Sequence, residues 1–527
     1  MSNEQGLYTA AEIKQLEQLY AKFSDGSSYR LMERAGAAIY SELIHRWPQA
    51  KSVLVICGKG NNGGDGYVVA RRTAIAGLNT TVALLPGAGF DKAEVKRDEA
   101  SEAERAFARL KDTDAVITDW DASLLDDHEI VVDAMLGIGI VGEVRKEIAE
   151  VIRAVNTSNK TIIAVDVPSG LAADTGAVMG SCIHADVTMT FIGVKRGLLT
   201  GLAADYCGEI VLNDLKCGQG VLSLVRPKVR DYKLTQGDIY LTPRRKTSHK
   251  GFNGHLLLLG GSPGFSGAIR MAAEAAARTG AGLVSVLTHP QHADVISMSR
   301  PELMCHAIPE SASKESLTWL FEQATTVAVG PGLGVHKWGR NLLAALEDFL
   351  ADERINRKQP TVVWDADALN ILSERPKIDH NRIITPHPAE AARLLESSVT
   401  EVQNDRFQAA QDLSERFGGT CLLKGAGTIV CNGNKTHVVN YGNPGMATGG
   451  MGDILTGIVA GLLAQGVPQY QATCLAAAIH GQAAELAVTA HTLTDSSNGY
   501  AAKPVRLERG LLATDLLPYI HQLVNPV

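Results

Sequence analysis

Apolar and polar residues alternate along the chain with two periods, one typical of helices and one typical of buried strands. Between residues 7 and 47, apolar positions recur every three or four residues, which predicts helices. Beyond them, short apolar runs alternate with amphipathic stretches such as 65–77 and 143–156. The runs are predicted strands: SVLVIC (52–57), TTVALLP (80–86), EIVVDAML (129–136), TIIAVDV (161–167) and ADVTMTF (185–191). Strands that alternate with helices predict a parallel sheet covered on both faces.

The pattern weakens over residues 214–235, and a second α/β series follows. Its predicted strands are HLLLLGG (255–261), GLVSVLT (282–288), TVAVGPG (326–332), TVVWDAD (361–367), NRIITPH (381–387), TCLLKGA (420–426) and TIVCN (428–432). The alanine-rich segments 266–282 and 451–466 predict helices. Because 527 residues are too many for one typical domain, we place a domain boundary in this break. The predicted domains are residues 1–225 and 226–527.

Composition and charge narrow the function classes. The net charge of −7 is spread without a strong block, which argues against nucleic-acid binding. The basic run at 244–246 reads as a solvated loop, with phosphate binding as the alternative. The eight cysteines form no CxxC pair or zinc spacing, so we expect them to be buried free thiols. Without a signal peptide or an apolar run of roughly 18 residues, the chain is expected to be soluble and cytoplasmic, without membrane contact. We also expect a homo-oligomer.

A glycine-rich segment, GKGNNGGDG (58–66), separates the first strand from a helical pattern. Glycines admit a ligand close to the backbone, and a helix N-terminus offers free N–H groups to a phosphate. Gly58, Gly60 and Gly63 match the GxGxxG of dehydrogenases, but the acidic residue expected about 20 positions later is missing. We therefore expect a site for a nucleotide-like anion that does not transfer hydride.

Two aspartates end predicted strands beside further glycines. Asp133 precedes the loop 137–142, and Asp166 precedes the segment Val167-Pro168-Ser169-Gly170. Ligands of open parallel sheets bind beyond the carboxyl ends of the strands, so Asn61, Asp133, Asp166 and Ser169 are predicted to converge. Their oxygens suit a hard cation. For either aspartate taken alone, helix capping is the alternative.

The motifs GKGNNGGDG, DAMLGIG and DVPSG resemble the epimerase domain of the NAD(P)H-hydrate repair family across roughly residues 1–220. The resemblance implies a Rossmann-like fold, a potassium ion bound by Asn61, Asp133 and Ser169, and Asp166 as the catalytic acid/base. It also implies that the hydrated cofactor is held by Asp166 together with Gly60, Asn61, Asn62, Gly63, Gly64, Gly137, Ile138, Gly139, Ile140, Val141, Gly142 and Glu143. Because relatives of this domain also bind RNA or assemble complexes, a scaffold is one alternative.

A second glycine loop, 443–452, ends at Asp453 and opens the apolar helix ILTGIVAGLLAQG. Such a loop is an anion site for phosphate groups. Asp453 has two readings, a helix cap or a general base facing a transferred phosphoryl group. Four glycine- or aspartate-bearing loops after other strands are predicted to join it in one crowded site: 260–268, 330–334, 365–369 and 385–390, with a strand-to-strand turn at 424–428. His387, taken alone, reads more readily as a structural histidine than as a ligand.

GGMGD resembles the GxGD motif of ribokinase-like enzymes, and the whole set resembles the dehydratase domain of the same repair family across roughly residues 230–520. The resemblance implies that Ala268, Gly334, His387 and the catalytic Asp453 contact the hydrated cofactor. It implies that the adenine nucleotide is bound by Lys424, Gly425, Ala426, Gly427, Thr428 and Gly452. Magnesium is expected between the phosphates, with Glu390 contributing through water, and ADP is the expected phosphoryl donor.

The expected function is therefore repair of hydrated NADH and NADPH by epimerisation at C6 and nucleotide-dependent dehydration of the S form. Phosphorylation of the C6 hydroxyl supplies a good leaving group, and elimination restores the ring double bond. The main alternative is a kinase for a small hydroxylated metabolite whose N-terminal domain senses a ligand.

Overall fold

The computed structural model describes residues 5–23, 28–86, 88, 100–237, 239–352, 359–489 and 507–525. The chain divides into two compact units, one of residues Gly6–Arg230 and one of Met1–Gln5 with Asp231–Val527. We call them the N-terminal unit and the C-terminal unit. Two three-residue strands, β1 (Gln5–Leu7) and β9 (Val229–Asp231), lie at the division in the chain.

The N-terminal unit is built on one parallel sheet. Its seven strands run in the order β4-β3-β2-β5-β6-β7-β8, and every neighbouring pair is parallel. The strands are β2 (Ser52–Cys57), β3 (Asn79–Leu84), β4 (Val116–Asp119), β5 (Ile130–Ala134), β6 (Thr161–Val165), β7 (Val187–Phe191) and β8 (Glu209–Asn213). The central strands β2 and β5 are buried along their whole length, which explains their continuous apolar runs. The predicted parallel α/β architecture is confirmed.

The helices of this unit are α1 (Ala10–Phe23), α2 (Tyr29–Arg46), α3 (Asn61–Ile75), α4 (Glu102–Leu110), α5 (Lys146–Thr157), α6 (Ala203–Tyr206) and α7 (Gln219–Leu222). The prediction that a glycine loop extends to residue 66 is wrong, because α3 already begins at Asn61. The glycines inside this helix permit close packing rather than a loop. A Cβ atom at Gly63 would lie 2.0 Å from the carbonyl oxygen of Gly58.

The C-terminal unit has a mixed sheet. Its strands are β10 (His255–Leu259), β11 (Leu283–Thr288), β12 (Met304–Ala307), β13 (Thr326–Val329), β14 (Thr361–Trp364), β15 (Arg382–Ile384), β16 (Thr420–Leu423), β17 (Thr428–Cys431) and β18 (Thr436–Val439). They run in the order β18-β17-β16-β15-β14-β13-β10-β11-β12. Pairing is parallel from β12 to β16 and antiparallel from β16 to β18. The carboxyl ends of β10, β13, β14, β15 and β16 therefore lie along one edge.

The helices of the C-terminal unit are α8 (Ser266–Thr279), α9 (Pro290–Ser299), α10 (Lys314–Gln323), α11 (Lys337–Ala351), α12 (Asp367–Glu374), α13 (Pro388–Leu395), α14 (Val399–Asn404), α15 (Arg406–Phe417), α16 (Met451–Ala464), α17 (Gln469–Thr489) and α18 (Leu517–Leu523). Helix α16 packs tightly on α8. A Cβ atom at Gly457 would lie 2.2 Å from the carbonyl oxygen of Ala272, so a glycine is required there. This contact fixes the N-terminal end of α16 beside the sheet edge.

Sequence patterns missed several outer strands. β4 and β12 are only partly buried and carry too few apolar residues to form a recognisable run. The cysteines were predicted to be buried free thiols. All eight are free, and all but the half-buried Cys305 are buried. Among the described residues, no helix is long and apolar enough to span a bilayer.

Candidate active sites

The N-terminal end of α3 meets the loop after β5 at the carboxyl edge of the sheet. The side-chain amide of Asn62 donates to the carbonyl oxygen of Leu136 at 3.0 Å. A Cβ atom at Gly137 would touch the Asn62 side chain at 3.1 Å, so the loop 137–143 begins against α3. Further along this loop, Val141 is 94% exposed. Asn61 is exposed at the first position of the helix.

Asp133 and Ser169 form a buried hydrogen-bonded pair in the N-terminal unit. The Ser169 hydroxyl donates to Asp133 Oδ1 at 2.5 Å, and the Ser169 backbone N–H donates to Oδ2 at 2.8 Å. Burial raises the pKa of Asp133 to about 6, although these hydrogen bonds act to lower it. No cationic side chain pairs with this carboxylate among the described residues. Neither Asp133 nor Asp166 caps a helix, so the capping alternative is not supported.

Asp166 lies in a strained backbone conformation beside a buried lysine. Its φ of 65° falls in the left-handed region, which a non-glycine residue rarely adopts. Its Oδ1 accepts from the Lys195 ammonium group and from the Phe191 backbone N–H, the latter at 3.0 Å. Lys195 is fully buried and also donates to Thr190 Oγ1 at 3.1 Å. Lys195 was not predicted as a site residue, because it lies outside every glycine- or aspartate-containing motif of the sequence.

Further carboxyl groups surround this ion pair. Burial and the nearby Asp166 charge raise the pKa of Asp65 well above its ordinary value, and the same two causes raise the pKa of Glu17. Lys195 opposes both shifts. The site thus combines an ion-paired carboxylate with neighbouring carboxyl groups that hold protons more tightly, which suits proton transfer.

In the C-terminal unit, the loop after β13 contacts the loops after β10 and β14. The Gly334 backbone N–H donates to Asp367 Oδ2 at 2.9 Å. Gly332 and Gly334 both have positive φ angles, and a Cβ atom at Gly332 would meet the Ala268 side chain at 3.3 Å. Three of the predicted loops are therefore adjacent, and Ala268, Gly334 and Asp367 lie together.

Lys424 and Asp365 form the polar centre of the C-terminal unit. The Lys424 ammonium lies 2.8 Å from Asp365 Oδ1 and 3.7 Å from Glu390 Oε2. Although burial opposes it, the nearby Asp365 and Glu390 charges raise the pKa of Lys424. A Cβ atom at Gly452 would lie 3.4 Å from the Lys424 Nζ. The ammonium therefore lies at the N-terminal end of α16, where anions bind.

Asp453 stands in the first turn of α16, but it is not the helix cap. The N-cap residue is Gly450, and among the described residues the Asp453 carboxylate caps no backbone N–H. Burial, followed by the Asp365 charge, raises the pKa of Asp453 to about 7, while Lys424 opposes the shift. A carboxyl group that titrates near neutral pH is well suited to general base catalysis.

His387 has a structural contact that the sequence did not reveal. Its Nδ1 accepts from the Ala389 backbone N–H at 3.1 Å, and the Glu390 carboxylate accepts from the His387 backbone N–H at 2.8 Å. The two residues form a capping box at the start of α13. The His387 side chain remains 52% exposed, so a ligand can reach it.

The turn 424–428 joins β16 to β17, and a buried arginine donates hydrogen bonds to its first part. Arg406 donates to the carbonyl oxygens of Leu423 and Lys424 at 3.3 and 3.2 Å. A Cβ atom at Gly425 would lie 2.9 Å from the Arg406 guanidinium, and φ at Gly425 is 137°. These contacts fix the backbone conformation of the turn. Arg406 was not singled out in the sequence.

These two units define a class: an α/β protein with two small-molecule sites, one arranged for proton transfer and one for phosphate chemistry. Two family models match, "YjeF-related protein N-terminus" over residues 28–197 and "NAD(P)H-hydrate dehydratase" over residues 256–503.

Similar proteins extend over the whole chain. A bifunctional NAD(P)H-hydrate repair enzyme of Coxiella burnetii is 43% identical over 99% of both chains. One of Escherichia coli is 40% identical over 99% of this chain and 94% of its own. A crystal structure of the ADP/ATP-dependent NAD(P)H-hydrate dehydratase of Bacillus subtilis is 26% identical, with a TM-score of 0.46, and covers 56% of this chain and 96% of its own. The chain belongs to the family of bifunctional NAD(P)H-hydrate repair enzymes.

Proposed function

We propose that this chain repairs hydrated NADH and NADPH in two steps at two separate sites. The domain of residues 1–225 interconverts the R and S forms, and the domain of residues 226–527 dehydrates the S form with ADP, giving AMP and phosphate. Full-length similarity to bifunctional repair enzymes is the observation that carries the proposal. The two polar centres described above supply chemistry of the required kinds.

In the epimerisation step, Asp166 is the group that moves a proton. Lys195 and the Phe191 backbone N–H hold its carboxylate in place, and this support offsets the cost of its strained backbone. Residues 60–64, at the start of α3, and the loop 137–143 lie at the same edge of the sheet and are proposed to hold the hydrated cofactor. Inversion at C6 needs a base and an acid in turn, and a carboxyl group can serve as both.

A potassium ion fits the pair of Asp133 and Ser169. The Asp133 carboxylate is fully buried without a cationic partner among the described residues, and the Ser169 hydroxyl lies against it, so two kinds of oxygen that suit a hard cation are adjacent. Asp133, Ser169 and the helix-start residue Asn61 would hold the ion. When bound, it supplies a positive charge that stabilises the buried carboxylate and the anionic cofactor beside it.

In the dehydration step, Asp453 removes the proton of the C6 hydroxyl as the hydroxyl oxygen attacks the terminal phosphorus of ADP, and the bond from that phosphorus to the bridging oxygen breaks, so that AMP leaves. The Lys424 ammonium and the N-terminal end of α16 stabilise the charge that develops on the phosphoryl oxygens. The C6–O bond of the phosphate ester then breaks with loss of the C5 proton. Phosphate leaves, and the C5–C6 double bond returns.

The nucleotide is proposed to bind at the turn 424–428 and Gly452, with the substrate at Ala268, Gly334, His387 and Asp453. Among the described residues, no group of three His, Cys, Asp or Glu side chains forms a metal cluster. Glu390, whose Oε2 lies 3.7 Å from the Lys424 ammonium, would help to hold a magnesium ion through water. When bound, magnesium neutralises phosphate charge during transfer.

A direct test uses purified S-form NADH hydrate with ADP or ATP. We expect recovery of the reduced-nicotinamide absorbance with one phosphate released for each NADH, and faster reaction with ADP. A stable phosphorylated product without recovery of NADH would instead support the metabolite kinase.

Size-exclusion chromatography with light scattering tests the predicted homo-oligomer.

A further inference from the structure

Asp365 joins four structural elements at the centre of the C-terminal unit. It follows β14 and is only 1% exposed. Its Oδ1 accepts from Thr385, which follows β15, at 2.8 Å and from Lys424, which follows β16, at 2.8 Å. Its Oδ2 accepts from Thr456 of α16 at 2.7 Å. Both oxygens are therefore occupied by groups from other elements.

The contact with α16 fixes the part of the helix that carries the proposed base. Thr456 lies three residues after Asp453, which is the spacing of neighbours on one helix face. The contact with Lys424 fixes the ammonium that lies close to Gly452 in the same first turn. One carboxylate thus sets the relative positions of the general base, the phosphate-binding helix end and the lysine.

Asp365 also sets the charge balance around Asp453. The groups that face Asp453 are Asp365 after β14, Asp367 in α12 and Lys424 after β16. Next to Lys424 lie Glu390 of α13 and His480 of α17, and burial lowers the pKa of His480 to about 4. His480 is therefore neutral at physiological pH, and the charges that act on Asp453 come from the two aspartates and the lysine.

We propose that Asp365 is a positioning residue of the dehydratase site, which orients Lys424 and the first turn of α16 toward the same phosphoryl group without touching the substrate. This inference rests on the dehydratase function proposed above. It predicts that the rate of dehydration depends on the Asp365 charge and on its ion pair with Lys424. Binding of the hydrated cofactor should depend on neither.

The test compares Asp365→Asn, Lys424→Met, the double variant Asp365→Asn/Lys424→Met and a control, Asp348→Asn. The control removes a carboxylate from an exposed ion pair with Lys314 in the same unit. Each full-length protein is assayed for dehydration of the S hydrate across pH, for the KM of the S hydrate and of ADP, and for epimerisation. Epimerisation reports folding of the N-terminal unit, and the circular dichroism spectrum with its thermal melting curve reports whether the C-terminal unit is also folded.

We expect Asp365→Asn to lower kcat for dehydration about 100-fold, the size of effect that misplacement of catalytic groups produces. The pKa of Asp453 sets the pH below which activity falls, and the Asp365 charge raises that pKa. Loss of the charge should therefore move the fall in activity to lower pH. Replacement of a residue with a purely structural role would lower activity without moving the pH at which activity falls. The double variant should be no slower than the slower of the two single variants, because both disrupt one unit. Asp348→Asn should match the wild type.

Dehydration by Asp365→Asn within threefold of the wild type, or an unmoved pH profile, would overturn the proposal. If Asp365→Asn fails to fold, the charge-balanced double variant decides. Compared with Lys424→Met, an unmoved pH profile in the double variant refutes the role of Asp365, and a profile moved to lower pH supports it. Failure of the wild type to regenerate NADH would instead refute the proposed function.

Discussion

Replacing Asp453 with Asn isolates the chemical role of its carboxylate. Asn has nearly the same size, and the N-cap of α16 is Gly450, so the start of the helix should persist. The change removes the base that we propose deprotonates the C6 hydroxyl. General base catalysis contributes about 10²–10⁴-fold, so dehydration should fall by that factor, equivalent to about 3–5 kcal/mol of transition-state stabilisation.

The pH profile makes this prediction sharper. Because burial raises the pKa of Asp453 to about 7, the base is increasingly protonated below that pH. Wild-type dehydration should therefore fall about tenfold for each pH unit below 7, whereas the residual activity of Asp453→Asn should not show this dependence. The assay follows reduced-nicotinamide absorbance with saturating ADP and S hydrate. Activity of the variant within tenfold of the wild type would refute the role of Asp453 as base.

Three further predictions concern other parts of the chain. Asp166→Asn should bind the hydrate but epimerise it about 10²–10⁴-fold more slowly, measured by chromatographic separation of the epimers, and a loss below tenfold would reassign Asp166 to a structural role. Potassium should raise the melting temperature of the wild type by compensating the charge of the buried Asp133 carboxylate. Asp133→Ala should abolish this effect and weaken epimerisation, while dehydration of the S form continues. Equal loss of both activities would contradict separate sites. Gly425→Ala should raise the KM of ADP more than it lowers kcat, because the new Cβ would displace Arg406 below the nucleotide turn, and an unchanged KM would exclude the turn from binding.

The central strands and the strand-end loops could be predicted because local sequence determines them. SVLVIC forms β2 at the predicted residues, since a strand buried on both faces needs a continuous apolar run. The start of α3 could not be predicted, because glycine has a poor helix propensity and only tertiary packing against Gly58 explains Gly63. Local pattern therefore locates a glycine motif, while packing decides whether it is loop or helix.

Individual aspartates of the sites could be found from their positions at strand ends, but their partners could not. Lys195 pairs with Asp166 across 29 residues and has no motif of its own. Thr456 reaches Asp365 across 91 residues. Contacts at such separations depend on how the sheet orders its strands. The sequence also could not reveal the raised pKa of Asp453, since burial and the charge of Asp365 cause it.

The central claim is that one chain carries two independent repair sites, and a mixture of both NADH hydrate epimers tests it most directly. The measured quantity is the fraction of hydrate returned to NADH with excess ADP. The wild type should recover nearly all of it, and Asp166→Asn should recover only the S fraction at the normal rate. Asp453→Asn should recover almost none, and a mixture of the two variants should again recover nearly all. If the mixed variants recover no more than Asp166→Asn alone, or if the wild type leaves the R fraction unconverted, the account is contradicted.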